Sequence, residues 1–201
     1  LKTGSSHRCE STLEFEFLYH LEFDPLVITF EAQPISIPYV NENGRKVKYT
    51  PDVKVIYTKQ GARQMGCKFS LVEVKYQREL EARKEEFAPR FKVASTYCEA
   101  EGGKFEIKHE QDIQTQRLKS CKLLYRYQDI NKVPKMNFDF LKLAKDLKIF
   151  TANDWVDKIE GSDLVKGQAL YNLWHLVATG HLEVDLDAPI TMVSEIRAIE
   201  N

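Results

Sequence analysis

The sequence predicts an α/β domain with a mixed β-sheet flanked by helices, followed by a small helical domain, and three observations predict it. Apolar residues alternate with polar ones through Val53, Val55 and Tyr57 and again through Ser70 to Lys75, the two-residue period of a strand. Around those strands the spacing switches between strand and helix, in the order helix, a run of strands, helix, strand, helix. At Val133-Pro134 a second unit begins and the charge changes sign. Of 29 basic and 30 acidic side chains, 7 and 11 fall from Lys135 onward, a net of −4, which leaves 22 and 19, a net of +3, before it. The expected domains are therefore 1–134 and 135–201.

Each element follows from local chemistry. Leu13, Phe17 and Leu21, with Phe15 and Leu18, make a broad apolar stripe on a first helix capped by Ser11 or Thr12 and ended by Phe23-Asp24-Pro25, since the residue before proline is pushed out of the α region. Val27 to Phe30 and Ile35 to Val40 read as strands, and Asn41-Glu42-Asn43-Gly44 as a hairpin turn into a strand over Arg45 to Tyr49. Tyr49-Thr50-Pro51-Asp52 leads into the next strand, and a polar insert separates it from the strand Ser70 to Lys75. From Arg78 the chain carries opposite charges three and four apart, with Leu80, Phe87, Phe91 and Ala94 as the apolar side, and Pro89 predicts a kink or a meeting of two helices. Gly102-Gly103 ends it, Lys104 to Lys108 alternates as a strand, and Gln114 to Tyr127 is amphipathic helix.

In the second domain Phe138, Leu141, Leu143, Ala144 and Leu147 predict one short helix, and Trp155, Val156 and Ile159 a second. Ser162-Asp163 caps a third, ended by Gly180 and followed by the strand His181 to Asp185 and an Asp187-Ala188-Pro189 turn. That order is the pattern of a winged helix-turn-helix. Trp155 and Trp174 read as core, and His175 and His181 as structural or exposed side chains.

Apolar residues make up 43% of 201, enough for a packed core, and the balanced charge does not by itself announce a nucleic-acid partner. Cysteines 9, 67, 98 and 121 form no C-x-x-C pair and have no companion histidines at metal spacing, which argues against structural zinc. With no signal peptide and no apolar run near about 18 residues, free cysteines imply a reducing, cytoplasmic setting. The first residue, Leu1, reads as a start after a removed tag, inside a longer chain or at an unusual initiator, so residues 1–7 stay outside the fold argument.

The chemistry concentrates between Asp52 and Lys75. Asp52 opens one strand, while Glu73 and Lys75 share a face of its expected neighbour. Two carboxylates that converge can ligate Mg²⁺, with Mn²⁺ as a substitute, and the Val74 carbonyl and water complete an oxygen shell. Lys75 beside them would orient water or stabilise the transition state of phosphodiester hydrolysis. Glu14 on the first helix is the choice for a third carboxylate, over Glu10 and Glu16. The competing reading makes Glu73 and Lys75 the solvated face of a strand, since a chain rich in Glu and Lys produces Glu-x-Lys by chance. Glu106-Ile107-Lys108 is such a repeat, too far past a helix to partner Asp52 in a hairpin-like pair.

The ordered run Ser11-Thr12-Leu13-Glu14, Leu21-Glu22-Phe23-Asp24-Pro25, Gln33-Pro34, Tyr49-Thr50-Pro51-Asp52 and Leu71-Val72-Glu73-Val74-Lys75 resembles the TnsA family, endonuclease subunits of heteromeric transposases. The resemblance covers about residues 10–126, and more loosely the tail from 135. It implies a restriction-endonuclease-like core of the PD-(D/E)xK kind followed by a winged-helix domain, with Glu14, Asp52, Glu73 and Lys75 as the active site. Some members carry glutamine where Glu73 stands. By the same resemblance the protein cuts the 5′, non-transferred strand of double-stranded DNA at transposon ends, a DDE-type transposase subunit cuts the other, and an AAA+ ATPase regulator contacts the C-terminal domain. A net of −4 there reads as protein docking rather than phosphate binding.

Two other functions stay open. A stand-alone nuclease in restriction or repair would cut DNA alone, with a segment such as Lys59 to Lys68 reading bases. A catalytically inactive DNA or protein interaction module would keep the cluster only as a vestige, which an intact Glu14, Asp52, Glu73 and Lys75 argue against.

Overall fold

The computed structural model describes residue 2 and residues 9–199. It divides into two compact units, Leu1–Gln114 and Thr115–Asn201. The expected exclusion of residues 1–7 lies, apart from Lys2, outside the described residues. Among the described residues no helix is long and apolar enough to cross a membrane.

In the first unit, α1 (Thr12–Glu22) starts at Ser11, whose hydroxyl accepts from the Glu14 N–H. Strands β1 (Val27–Ala32), β2 (Ile37–Val40), β3 (Lys46–Tyr49) and β4 (Val53–Tyr57) follow, then α2 (Lys59–Met65) and β5 (Phe69–Val74). Helices α3 (Gln77–Ala82) and α4 (Lys84–Glu101) carry the chain over to β6 (Lys104–Lys108), and α5 (Glu110–Ile113) closes the unit. The main sheet runs β1-β4-β5-β6, antiparallel except for the β5–β6 pair, while β2 and β3 form a separate two-stranded hairpin. The α/β class and the mixed sheet are as the sequence predicts.

Both faces of the sheet are covered. Val53, Val55, Val72 and Val74 pack with Leu13, Phe17, Leu18 and Leu21 of α1, and Leu71 on the other face packs with Ile37, Tyr49, Ala94 and Cys98. From Ser70 to Val74, β5 is therefore buried at every position. Glu73 does not lie on a solvated strand face.

Three local expectations change. The helical stretch after Lys75 breaks at Arg83, not at Pro89, which sits inside α4. Pro89 removes only the N–H that would reach the Glu85 carbonyl, and the helix continues past it. The expected helix 114–127 is shorter, α6 (Gln116–Tyr125), preceded by α5. The segment Lys59 to Lys68, taken as a base-reading loop, is largely α2, capped by the Thr58 hydroxyl on the Gly61 N–H and stopped by Gly66 at φ 70°.

In the second unit α6 is followed by α7 (Phe140–Leu147), β7 (Ile149–Phe150), α8 (Ala152–Asp157), α9 (Asp163–Ala178), β8 (Leu182–Val184) and β9 (Ile196–Ala198). The three strands pair antiparallel in the order β7-β9-β8. Trp155 is fully buried, with its indole N–H donating to the Ala169 carbonyl, and Trp174 is buried as well. His175 bonds through Nδ1 to the Tyr127 carbonyl at 2.6 Å, a structural role.

The units part at 114/115, well before the expected 134/135, because α6 packs against α9 of the second unit. The shift undoes the charge argument. Residues 115–134 hold five basic side chains and one acidic, so the second unit carries 12 of each and is neutral rather than at −4.

Candidate active site

Register builds the site. Val53 pairs with Val72 and Lys54 with Leu71, so the next step sets Asp52 across from Glu73. The Asp52 carboxylate Oδ2 accepts from the Val74 N–H at 2.7 Å, which ties the start of β4 to the end of β5. Gln33, in the left-handed region at φ 50°, donates its N–H to the Asp52 carbonyl at 2.8 Å and holds the backbone of that turn.

Lys75 lies at the centre. Its ammonium reaches Asp52 Oδ2 at 3.1 Å, Glu73 Oε1 at 3.2 Å and the Val74 carbonyl at 3.1 Å. The three oxygens thus converge on a single cation. Asp52 and Glu73 are 12% and 5% exposed and Lys75 21%, so the cluster is largely screened from water but open on one side. Burial pushes the Asp52 carboxyl up, with the Glu73 charge adding to it; Lys75 and the Val74 N–H oppose that shift, and Glu14 is the weakest contributor. Burial works against the Lys75 ammonium, yet Glu73 and Asp52 together hold it above its ordinary value.

Glu14 is engaged at the start of α1. It is buried, and its oxygens accept from the Ser11 hydroxyl at 2.9 Å and the Glu10 N–H at 2.8 Å, so the helix cap that begins α1 occupies the carboxylate. Glu10 accepts from the Gln33 side chain and Glu16 from the Gln114 side chain. Among the described residues no three His, Cys, Asp or Glu side chains group as a metal site. The structure therefore brings together Asp52, Glu73, Lys75 and the Val74 carbonyl, while Glu14 is bonded to Ser11 and Glu10 and its charge acts on Asp52.

The second Glu-x-Lys goes elsewhere. β6 pairs with β5 rather than β4, and Glu106 accepts from the Ser70 hydroxyl at 2.9 Å, which in turn accepts from Tyr57. Lys104 and Lys108 flank it at 3.9 Å and 3.5 Å.

Tyr49 is the residue that sequence reasoning missed. Its hydroxyl donates to Glu73 Oε2 at 2.6 Å, and its ring is buried under the hairpin. Burial first, then the Glu73 charge and hydrogen bond, drive its pKa far above the ordinary phenol value, so it is a donor at every physiological pH. Its place three residues before Asp52 was the available signal.

The donor set is two carboxylates and a carbonyl, all hard oxygens already gathered around one positive charge, and a buried carboxylate pair with one cation favours a further one. These residues fit a divalent hard cation. Residues 24–110 match the family described as TnsA-like endonuclease N terminal. That span holds Asp52, Glu73, Val74 and Lys75 and begins after Glu14. No curated protein matches the chain.

Proposed function

We propose that the chain, whose residues 24–110 match the TnsA-like endonuclease N-terminal family, is the metal-dependent DNA endonuclease subunit of a heteromeric transposase, cleaving the 5′, non-transferred strand at transposon ends. The observation that carries the reading is the convergence of Asp52, Glu73 and the Val74 carbonyl on the Lys75 ammonium. Asp52, Glu73 and Val74 would hold Mg²⁺ or Mn²⁺, with Glu14 as a further carboxylate once released from Ser11. When bound, the metal activates water and neutralises charge on the phosphate. Lys75 would offer its ammonium to the phosphate oxygens on which charge develops. Tyr49 keeps Glu73 in one orientation. The partly buried floor limits water around the reacting bond.

The C-terminal unit is read as a winged helix: α7, β7, α8, α9, β8 and β9 in that order, with residues 185–195 as the wing between β8 and β9. A DDE-type transposase cutting the opposite strand and an AAA+ regulator docking on this unit come from the family resemblance. The neutral charge of the unit no longer favours docking over DNA contact.

A second reading, an inactive interaction module, has one observation in its favour: Lys75 already pairs with both carboxylates, and among the described residues no third acid groups with them. A stand-alone, base-reading nuclease would have to read DNA through a helix rather than a loop here, since Lys59 to Met65 forms α2. The test is Mn²⁺ calorimetry on wild type and Asp52→Ala, with and without a short duplex, followed by cleavage of end-labelled transposon DNA in the assembled system. Saturable binding and 5′-strand cleavage, both lost in the variant, support the nuclease. Absence of binding in both proteins, duplex included, hands the assignment to the inactive module.

A further inference from the structure

We infer that the β2–β3 hairpin is an arm that grips the phosphate backbone of duplex DNA beside the scissile bond, through Arg45, Lys46 and Lys48. The inference rests on the nuclease reading. A site built from Asp52 and Glu73 repels the polyanion it must hold, and its own Lys75 is engaged by those carboxylates. Attraction has to come from cations outside the site.

The hairpin supplies them. Arg45, Lys46 and Lys48 are all exposed, and among the described residues none takes part in an ion pair, whereas Arg83 between α3 and α4 and Arg90 on α4 are held by Glu79 and Glu86. Over residues 37–49 the only acid is Glu42, for a net of +2. Lys46 and Lys48 alternate with Val47 and Tyr49, so both lysines stand on the outer face, spaced by about 6.6 Å along the strand. The inner face is fixed: Ile37 and Tyr49 are buried in the cluster that includes Ala94 and Cys98 of α4.

Both ends of the hairpin are also fixed. At the tip, Asn41 Oδ1 accepts from the Asn43 and Arg45 N–H groups, and Gly44 takes φ 71°. At the base, the Ser36 and Thr50 hydroxyls bond at 2.8 Å and Tyr49 bonds to Glu73. The lysines are therefore presented by a rigid ribbon and lose little order on binding. Lys48 lies four residues before Asp52, so their Cα atoms are at most about 14 Å apart. A helical turn of duplex spans about 34–36 Å, so DNA with a phosphodiester at Asp52 and Glu73 runs within reach of the hairpin. The contact is to phosphates and reads no sequence.

The test measures binding of the full chain to a labelled duplex of arbitrary sequence, in chelator to prevent cleavage, over a range of salt. The variant carries Arg45→Ala, Lys46→Ala and Lys48→Ala together. The expected result is weaker binding by about tenfold or more on every duplex tried, with the log–log salt slope reduced by about 2–3. Lys46→Arg with Lys48→Arg should keep the wild-type slope, and Lys46→Gln with Lys48→Gln, which needs no change at the tip, should lower it. Wild-type affinity and slope in folded cation-free variants would overturn the inference, as would a wild-type chain that binds no duplex at low salt. Mn²⁺ calorimetry on the same proteins in chelator-free buffer separates the two readings: the hairpin variants keep the Asp52-dependent binding if the metal site is real, and its absence from wild type counts against the nuclease alone.

Discussion

Tyr49 donates its hydroxyl to Glu73 Oε2 at 2.6 Å, from the last residue of β3 to the next-to-last of β5. Glu73 thus has one oxygen on Tyr49 and the other on Lys75. A buried carboxylate gripped on both oxygens has one orientation, which a proposed metal ligand requires.

Tyr49→Phe removes the donor and keeps the ring that packs beside Ile37 and Leu71. The buried oxygen is left unsatisfied, and the expected loss of stability is about 1–3 kcal/mol. Cleavage in the assembled reaction should fall about tenfold or more, the usual cost of losing a group that orients a ligand. Urea unfolding reads the first and single-turnover cleavage the second. Loss of stability at full cleavage rate would make Tyr49 a packing residue only.

Much of this site was legible in the sequence because it is local to two paired strands. The alternation at Val53 and Val72 fixes which side chains share a face, and the register then delivers Asp52 to Glu73 and Lys75. Ser11 as the α1 cap was legible too, but not that it would occupy Glu14. Tyr49 was hidden because its role depends on a hairpin folding back over β5, a contact that strand periodicity does not encode. The unit boundary was hidden because the partner of α6, α9, lies far along the chain and an amphipathic helix does not say which neighbour will cover it.

The Asp52 carboxyl is pushed up from 3.8 to about 7, by burial first and then by Glu73. Between those values the folded chain holds a proton that the unfolded chain has lost. This contribution is therefore full below about pH 4 and is lost as pH rises through about 7. Asp52→Asn abolishes the ionisation, so the variant should melt higher than wild type at pH 8 by a few degrees, at about 2–4 °C per kcal/mol, and the gap should close towards pH 5. Melting curves across that range test the sign. A gap independent of pH would show that the carboxylate is not strained by its surroundings.

Gly61 allows α2 to approach the backbone of Leu26, just before β1, and Tyr57 of β4. A Cβ built there meets the Leu26 carbonyl oxygen at 2.5 Å, and a backbone atom yields only if the chain moves. Alanine is the better helix former by about 1 kcal/mol, so propensity alone predicts stabilisation. The close approach predicts the reverse, a loss of about 1–3 kcal/mol for Gly61→Ala. The shift of the urea midpoint gives the sign directly.

Cys67, Cys98 and Cys121 are buried and Cys9 is half-buried, all with free thiols. Burial pushes the Cys121 thiol up to about 11 and raises Cys98 as well. Burial, Glu14 and Asp52 raise Cys9 too, so access decides: at pH 8 a thiol reagent should label the half-buried Cys9 first and leave the other three until denaturant is added. Mass spectrometry of the labelled peptides identifies the site. Early labelling of Cys121 would mean that α6 detaches readily from its unit.

That attachment also decides where the chain can be cut. α6 buries Leu118, Cys121 and Leu124, packs on α9, and carries the Ser120 hydroxyl that donates to the Ala188 carbonyl at 3.1 Å. A fragment 135–201, cut where the charge changes sign, lacks this helix and leaves the face of α9 beneath it bare. A fragment 115–201 keeps it. Each large buried side chain contributes about 1.5–3 kcal/mol, a large part of the stability of so small a unit. The longer fragment should therefore melt cooperatively and the shorter one should melt several degrees lower or without a clear transition. Equal melting would return the boundary to Val133-Pro134, and with it the negative charge that argued for docking.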